Sequence, residues 1–132
     1  MAGISSPSQL SVLVVDDEAL IRWSLSEVLS SGGHSVTEAS SARTALDAIH
    51  AAGEPFDVVL LDYRLPDCAN LDLLSTIRQR SPASAIVMMT AYGAGELGPE
   101  AQALGAYRVL HKPLDMHDVD SLVRDAYAAS HG

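Results

Sequence analysis

The 132-residue chain has one cysteine, Cys68, which excludes an internal disulfide, suits a reducing compartment and is read as a free loop thiol. It is also poor in basic residues. Eight Lys and Arg are scattered among seventeen Asp and Glu, for a formal net charge of -9. Phosphate backbones are held by clustered cations, so direct nucleic-acid binding by this chain is not expected. The acidic balance suits cations and basic partner surfaces, and suits solubility equally well. No apolar run reaches the roughly 18 residues of a membrane span, and the start MAGISSPSQL lacks the charged and apolar parts of a secretion signal. A soluble, cytoplasmic chain without membrane contact is the expectation. The five histidines, at 34, 50, 111, 117 and 131, show no metal-ligand spacing with a cysteine or with one another. They are read as surface or internally bonded residues.

What the chain does have is apolar content, 48% hydrophobic, enough for one well-buried domain and too short for two. Residues 1–9 are small and polar and read as a disordered N-terminal arm, residues 10–129 as the domain and 130–132 as a C-terminal tail. Short apolar runs at Val12–Val15, Val36–Ala39, Val58–Leu61, Ile86–Met89 and Val109–Leu110 read as buried strands. Helical segments follow them. The first carries Ile21, Leu25, Val28 and Leu29 on one face and stops at Gly32-Gly33. The second opens at Ser41 as N-cap, the third after Asn70 with Leu71, Leu74 and Ile77 inward, and the last at Asp115 with Val119, Leu122, Val123 and Ala126 inward. The fourth is weak, because Gly93, Gly95, Gly98 and Pro99 leave clear helical preference only over 99–104. Strict alternation with short joints implies an α/β, doubly wound, flavodoxin-like domain: a five-stranded parallel sheet in the order 2-1-3-4-5 with five helices. In that order the ligand crevice lies at the carboxyl ends of strands 1 and 3.

The polar residues fall at those ends. Asp16 and Asp17 follow VLVV, Asp62 follows VVLL, Thr90 follows IVMM, and Lys112 follows VLH. Taken singly, each has a simpler account as a helix cap, turn opener, strand residue or solvated charge. Together, four strand exits direct chemistry to one rim. Carboxylates about 5 Å apart repel by about 3 kcal/mol per pair at an effective dielectric of about 20. A proton or a cation must relieve this, and hard oxygen ligands with open water positions suit magnesium better than zinc. With a divalent ion present, one carboxylate can act as nucleophile toward phosphorus. Asp62, alone at the central strand's end, suits that role, while Asp16-Asp17 suits holding the ion. Lys112 and Thr90 then offer charge and a hydroxyl to the transferred oxygens.

The runs VLVVDDEALIR and VVLLDYRLPDCANLDLL, the stretch MMTAYG and the pair Lys112-Pro113 resemble the receiver domain of bacterial response regulators, over essentially all of Leu10 to Ala129. The wording DYRLPD and TAYG is most similar to receivers of the nitrogen-regulation class. The resemblance implies that Asp16 and Asp17 bind Mg2+, Asp17 directly and Asp16 largely through water. It implies that Asp62 is both phosphoryl acceptor and metal ligand, and that the Arg64 backbone carbonyl completes the protein ligands. Lys112 would bridge the phosphoryl group and an acidic partner, Thr90 would swing toward it, and the Lys112-Pro113 peptide would be cis. The phosphoryl donor would be a sensor histidine kinase or a small acyl phosphate. The product would be a switch rather than a turnover enzyme, acting on an output domain or a receiver homodimer through the fourth helix, fifth strand and fifth helix.

Two positions depart from the family pattern. Val109 stands where these receivers usually carry Tyr or Phe, which puts the aromatic read-out in doubt and shifts the expected reorganisation to the glycine-rich fourth helix. Tyr107, read as lying on the same strand face, is about 6.6 Å away by strand rise and too far to substitute. Asn70 stands where glycine is common, and tolerates the turn. Arg64 and Tyr92 are bulky enough to screen a phosphoryl group from water. Two rival readings remain. Gly93 to Gly98, GAGELG, has the spacing of a dinucleotide-binding loop of an oxidoreductase, but it does not directly follow a first strand. An aspartate-nucleophile phosphohydrolase uses similar residues, but with Asp-x-Asp after its first strand.

Overall fold

The computed structural model describes residues 9–91 and 93–131. Most of the expected N-terminal arm, together with Tyr92 and Gly132, lies outside the described residues. The strands are β1 (Ser11–Val15), β2 (Ser35–Ala39), β3 (Val58–Asp62), β4 (Ala85–Thr90) and β5 (Ala106–His111). The helices are α1 (Ala19–Ser31), α2 (Ala42–Ala51), α3 (Asp72–Arg80), α4 (Ala94–Ala103) and α5 (Val119–His131), the last entered through a 3-10 turn at Met116–Asp118. All strand pairs are parallel and the order is β2-β1-β3-β4-β5, as the alternation requires.

The sheet is covered on both faces, and strand period two assigns the residues. Leu13, Val15, Val59, Leu61, Ile86 and Met88 form one core with Ala45 of α2, Leu74 and Ile77 of α3 and Ala101 of α4. Val12, Val14, Val58, Leu60, Val87 and Met89 form the other with Leu25 and Leu29 of α1 and Val119, Val123 and Ala126 of α5. The three central strands are buried from both sides. This is why they read as continuous apolar runs. The edge strands are not: Thr37 and Glu38 of β2 and Arg108 of β5 are exposed, so the expectation of five buried strands holds only for the inner three.

Helix starts follow local chemistry. The Ser41 side chain accepts from the Thr44 amide while Thr44 Oγ1 accepts from the Ser41 amide, a reciprocal cap. Asn70 Oδ1 accepts from the Asp72 amide at 2.9 Å, capping α3 from one residue before its N-cap position. Asp115 accepts from the His117 amide. Leu122, expected inward, is half-buried. α5 continues through Ser130 and His131, two residues read from sequence as tail.

Two differences bear on function. α4 begins at Ala94, five residues before the segment with clear helical preference, and carries Pro99 inside it. Burial of Ala101 and partial burial of Leu97 against the sheet outweigh the weak local propensity. The second concerns β5. The β4–β5 register shifts between Ile86 and Val87, pairing Ala106 and then Arg108, which leaves Tyr107 as an extra residue. Ala106 and Val109 therefore pack on the α2–α3–α4 core, whereas Tyr107 and Leu110 pack on the α1–α5 core. The expectation that Tyr107 shares Val109's face is corrected: the bulge turns it to the opposite side of the sheet.

Candidate functional site

Parallel strands all end on one rim, and the ladder carries their chains one step further. The Asp16 amide donates to Ala39 O at 3.0 Å, Tyr63 to Met89 O at 2.8 Å and Lys112 to Thr90 O at 2.8 Å. These bonds fix the backbone on which the polar residues stand. Asp16, Asp62, Thr90 and Lys112 are all buried, while Asp17 is exposed at the mouth. A cleft of about 400 Å³ opens here, lined by Asp17, Glu18, Asp62, Tyr63, Arg64, Thr90, Ala91 and Lys112. The Lys112-Pro113 peptide is cis.

Lys112 is the centre of the charge arrangement. Its Nζ lies 2.9 Å from Asp16 Oδ2, 3.1 Å from Glu18 Oε1 and 3.2 Å from Asp62 Oδ2. Burial disfavours its charge, yet the hydrogen bond and charge of Asp16, with Asp62 and Glu18 beside them, raise its pKa above the usual lysine value. Asp62 responds the other way. Burial, and then the neighbouring Asp16 charge, outweigh the pull of Lys112 and lift its carboxyl from 3.8 to about 6. The Arg64 amide lies 3.4 Å from Asp62 Oδ1, a long hydrogen bond.

Asp16, Asp17 and Asp62 each offer one carboxylate oxygen, all within 4.8 Å of one another. Only oxygen donors meet there, two of the carboxylates are buried, and one lysine does not neutralise three acids. Such a donor set fits a hard divalent cation of the magnesium type.

The structure thus brings together Asp16, Asp17, Asp62, Arg64, Thr90 and Lys112, drawn from four strand ends. Sequence reasoning missed several supports. Glu18 shares Lys112, although DDE at the strand end was in view. Arg22 donates through Nη1 to the Asp16 carbonyl at 2.7 Å and through Nε to Glu38 Oε1 at 3.1 Å, bracing the acid pair against β2. Asp67 accepts from the amides of Ala42 and Arg43 at 2.8 and 3.0 Å, tying the loop after Asp62 to the start of α2. Those two hydrogen bonds hold its carboxyl below the usual range. Arg22 and Asp67 act across the fold, and no local spacing signals them.

The glycine run that suggested a dinucleotide loop follows β4, with Gly93 at a positive φ of 70° and the remaining residues forming the first turns of α4. It does not open the first strand-helix unit, and that reading falls.

Comparison with known proteins agrees with this geometry. Residues 12–124 match the response regulator receiver domain. The chain is 40% identical over 120 residues to the response regulator protein PilR of Pseudomonas aeruginosa, covering 90% of this chain and 26% of that protein. It is 36% identical over 115 residues to the DNA-binding transcriptional regulator NtrC of Escherichia coli, covering 87% of this chain and 24% of the relative. Against the transcriptional regulatory protein FixJ of Azorhizobium caulinodans the figures are 36% over 126 residues, 94% and 58%. The chain therefore spans a quarter to rather more than half of these relatives. Among solved structures, a CheY-like receiver domain from Methanospirillum hungatei superposes with a TM-score of 0.85 at 27% identity, covering 94% of this chain and 98% of the other. NtrX from Brucella abortus gives 0.84 at 31% identity, covering 93% and 28%. No helix among the described residues is long and apolar enough to cross a membrane. With its five parallel strands in this order and its acids and lysine at their carboxyl ends, the chain belongs to the response regulator receiver domain family.

Proposed function

We propose that Asp62 accepts a phosphoryl group and that the domain works as a phosphorylation switch. The observation that carries this is the single ammonium of Lys112 set among three carboxylates, with Asp62 buried beside Asp16 and lining the open cleft. A carboxylate oxygen of Asp62 attacks phosphorus, a P–O bond forms, and the bond from phosphorus to the donor breaks. The electron pair leaves on the imidazole nitrogen of a sensor histidine kinase, or on the carboxylate oxygen of a small acyl phosphate.

Asp16, Asp17 and Asp62, with the Arg64 carbonyl, would hold Mg2+, which when bound supplies charge neutralisation among the acids and the transferred oxygens. Lys112 provides positive charge beside the new phosphoryl oxygens. Thr90, buried at the end of β4, provides a hydroxyl whose reorientation reports the new state. Arg64, exposed and lining the cleft, slows entry of hydrolytic water, a role it shares in this proposal with Tyr92.

The phosphoryl group adds about two negative charges and new acceptor oxygens. These bias the surface formed by α4, β5 and α5, which contacts an output domain or a second receiver. What supports that surface is a cleft of about 360 Å³ at β5 and α5, lined by Leu110, Leu114 and Leu122 together with Arg108, Asp118 and Asp125. Val109 on the inner face of β5 has no swinging ring, so α4 is the element expected to reorganise.

The test is labelling by acetyl phosphate and magnesium, followed by mass spectrometry to locate the adduct. Wild type should gain one phosphoryl group on Asp62 and Asp62→Asn should gain none. Undiminished labelling of the variant would sink the assignment.

A further inference from the structure

We infer that Glu18 is a positioning residue for the phosphorylation reaction: its carboxylate holds the Lys112 ammonium in the resting site and is the contact that Lys112 gives up when a phosphoryl group arrives on Asp62. The inference rests on the reading of Asp62 as acceptor, and extends it to a residue outside the acid pair.

A lysine ammonium carries three N–H donors and no acceptor. Here three carboxylates surround it, at 2.9 Å for Asp16, 3.1 Å for Glu18 and 3.2 Å for Asp62. Two donors are committed to hydrogen bonds with Asp16 and Glu18, and Asp62 is ion-paired beside the third. To donate to more than one phosphoryl oxygen, Lys112 must release one of its two hydrogen-bonded carboxylates.

The three partners are not equally able to leave. The Asp16 side chain is wholly buried, its Oδ1 accepts from the Glu18 amide at 2.8 Å, and its carbonyl is held by Arg22. Stripped of Lys112, it would be a buried, uncompensated charge. The Asp62 side chain is only 6% exposed and itself becomes the phosphoryl carrier, so the Lys112 donor beside it passes to one new oxygen, and a second oxygen still needs a donor. Glu18 differs: its side chain is 59% exposed and water can replace the lysine at little cost. It also stands at the N-cap of α1 without a side-chain cap bond, so its carboxylate has no helix-capping duty.

Two consequences follow for Glu18→Gln. The Lys112 ammonium, freed of one carboxylate, exchanges its protons faster in metal-free protein. The variant also binds a phosphoryl mimic more tightly, because the resting state has lost a competitor; an exposed ion pair of this kind corresponds to roughly two- to fivefold in affinity.

The experiment is NMR on the whole chain. First, the Lys112 side-chain ammonium is followed in metal-free wild type and Glu18→Gln. Then beryllofluoride is titrated with magnesium into wild type, Glu18→Gln, Lys112→Met and the double variant, reaching high concentration for the last two. The expected result is a shifted, faster-exchanging ammonium and a two- to fivefold affinity gain that vanishes in the Lys112→Met background. An equal gain with and without Lys112 would mean that Glu18 acts only as a charge at the cleft mouth, and would overturn the inference. So would an unchanged ammonium signal or an unchanged affinity. If wild type itself fails to bind beryllofluoride, the acceptor reading fails, and the Glu18 role with it.

Discussion

Asp62 sets up a conflict that its own titration exposes. Its carboxyl is raised from 3.8 to about 6, first by burial and then by Asp16, so between those values the folded chain holds a proton that the unfolded chain has lost. The sign is then fixed: stability contributed by this group is present below about pH 4, falls as pH rises toward 6, and stays lost above it. At about 1.4 kcal/mol per pKa unit the loss is of the order of 2–3 kcal/mol. Asp62→Asn cannot ionise and escapes it. Urea unfolding in EDTA should find the two proteins alike near pH 4 and the variant more stable near pH 7.5 by that order. Other carboxylates add slopes common to both chains, so the difference is the quantity to read. Parallel curves across this range would mean that Lys112 already compensates Asp62 in full.

At the scale of elements, α4 shows where local sequence misleads. Gly95, Gly98 and Pro99 each disfavour a helix interior, yet α4 runs from Ala94 to Ala103. The two glycines nonetheless differ. An added Cβ at Gly95 or Gly98 meets nothing within 4 Å, and neither residue has a positive φ. By that test both would gain from alanine, by about 0.5–1 kcal/mol. Gly98 precedes Pro99, however, and the proline ring presses against a Cβ on the preceding residue when that residue is helical. Gly95→Ala is therefore expected to stabilise by about 0.5–1 kcal/mol, and Gly98→Ala to gain less or to lose. Denaturant midpoints of the two variants decide it, and equal gains would show that the clash is absorbed. β5 gives the complementary lesson. Tyr107 and Val109, two apart, should share a face by strand period, but the bulge leaves Tyr107 itself as the extra residue outside the ladder. Bulges depend on register with a neighbour, here Ile86 and Val87 of β4, and no pattern within β5 alone marks one.

At the scale of the whole molecule, sequence carried the architecture and the rim because both are periodic. Apolar runs placed β1, β3 and β4, and Asp16, Asp62, Thr90 and Lys112 stand at or just past strand ends by position alone. Contacts between distant segments were not legible in that way, and those of His34 are an instance. Its side chain is fully buried, Nδ1 accepts from the Leu10 amide at 3.0 Å, and Nε2 lies 2.7 Å from Asp120 Oδ1. With Nδ1 accepting, the ring proton sits on Nε2 and donates to Asp120, so one side chain joins the entry to β1, the turn before β2 and the start of α5. That hydrogen bond is the first cause of the lowered Asp120 carboxyl, with burial opposing it and Arg124 adding to it. His34→Ala would leave the buried Leu10 amide without this partner, which costs roughly 1–3 kcal/mol before any packing loss. Arg124→Ala removes an i,i+4 pair on the same carboxylate, worth about 0.3–0.5 kcal/mol when exposed. Urea unfolding at neutral pH should therefore place His34→Ala well below Arg124→Ala, with amide exchange at Leu10 accelerated only in the former. If the two variants lose the same stability, the three segments are held by the apolar core of Leu10, Leu29 and Val123 and not by the histidine.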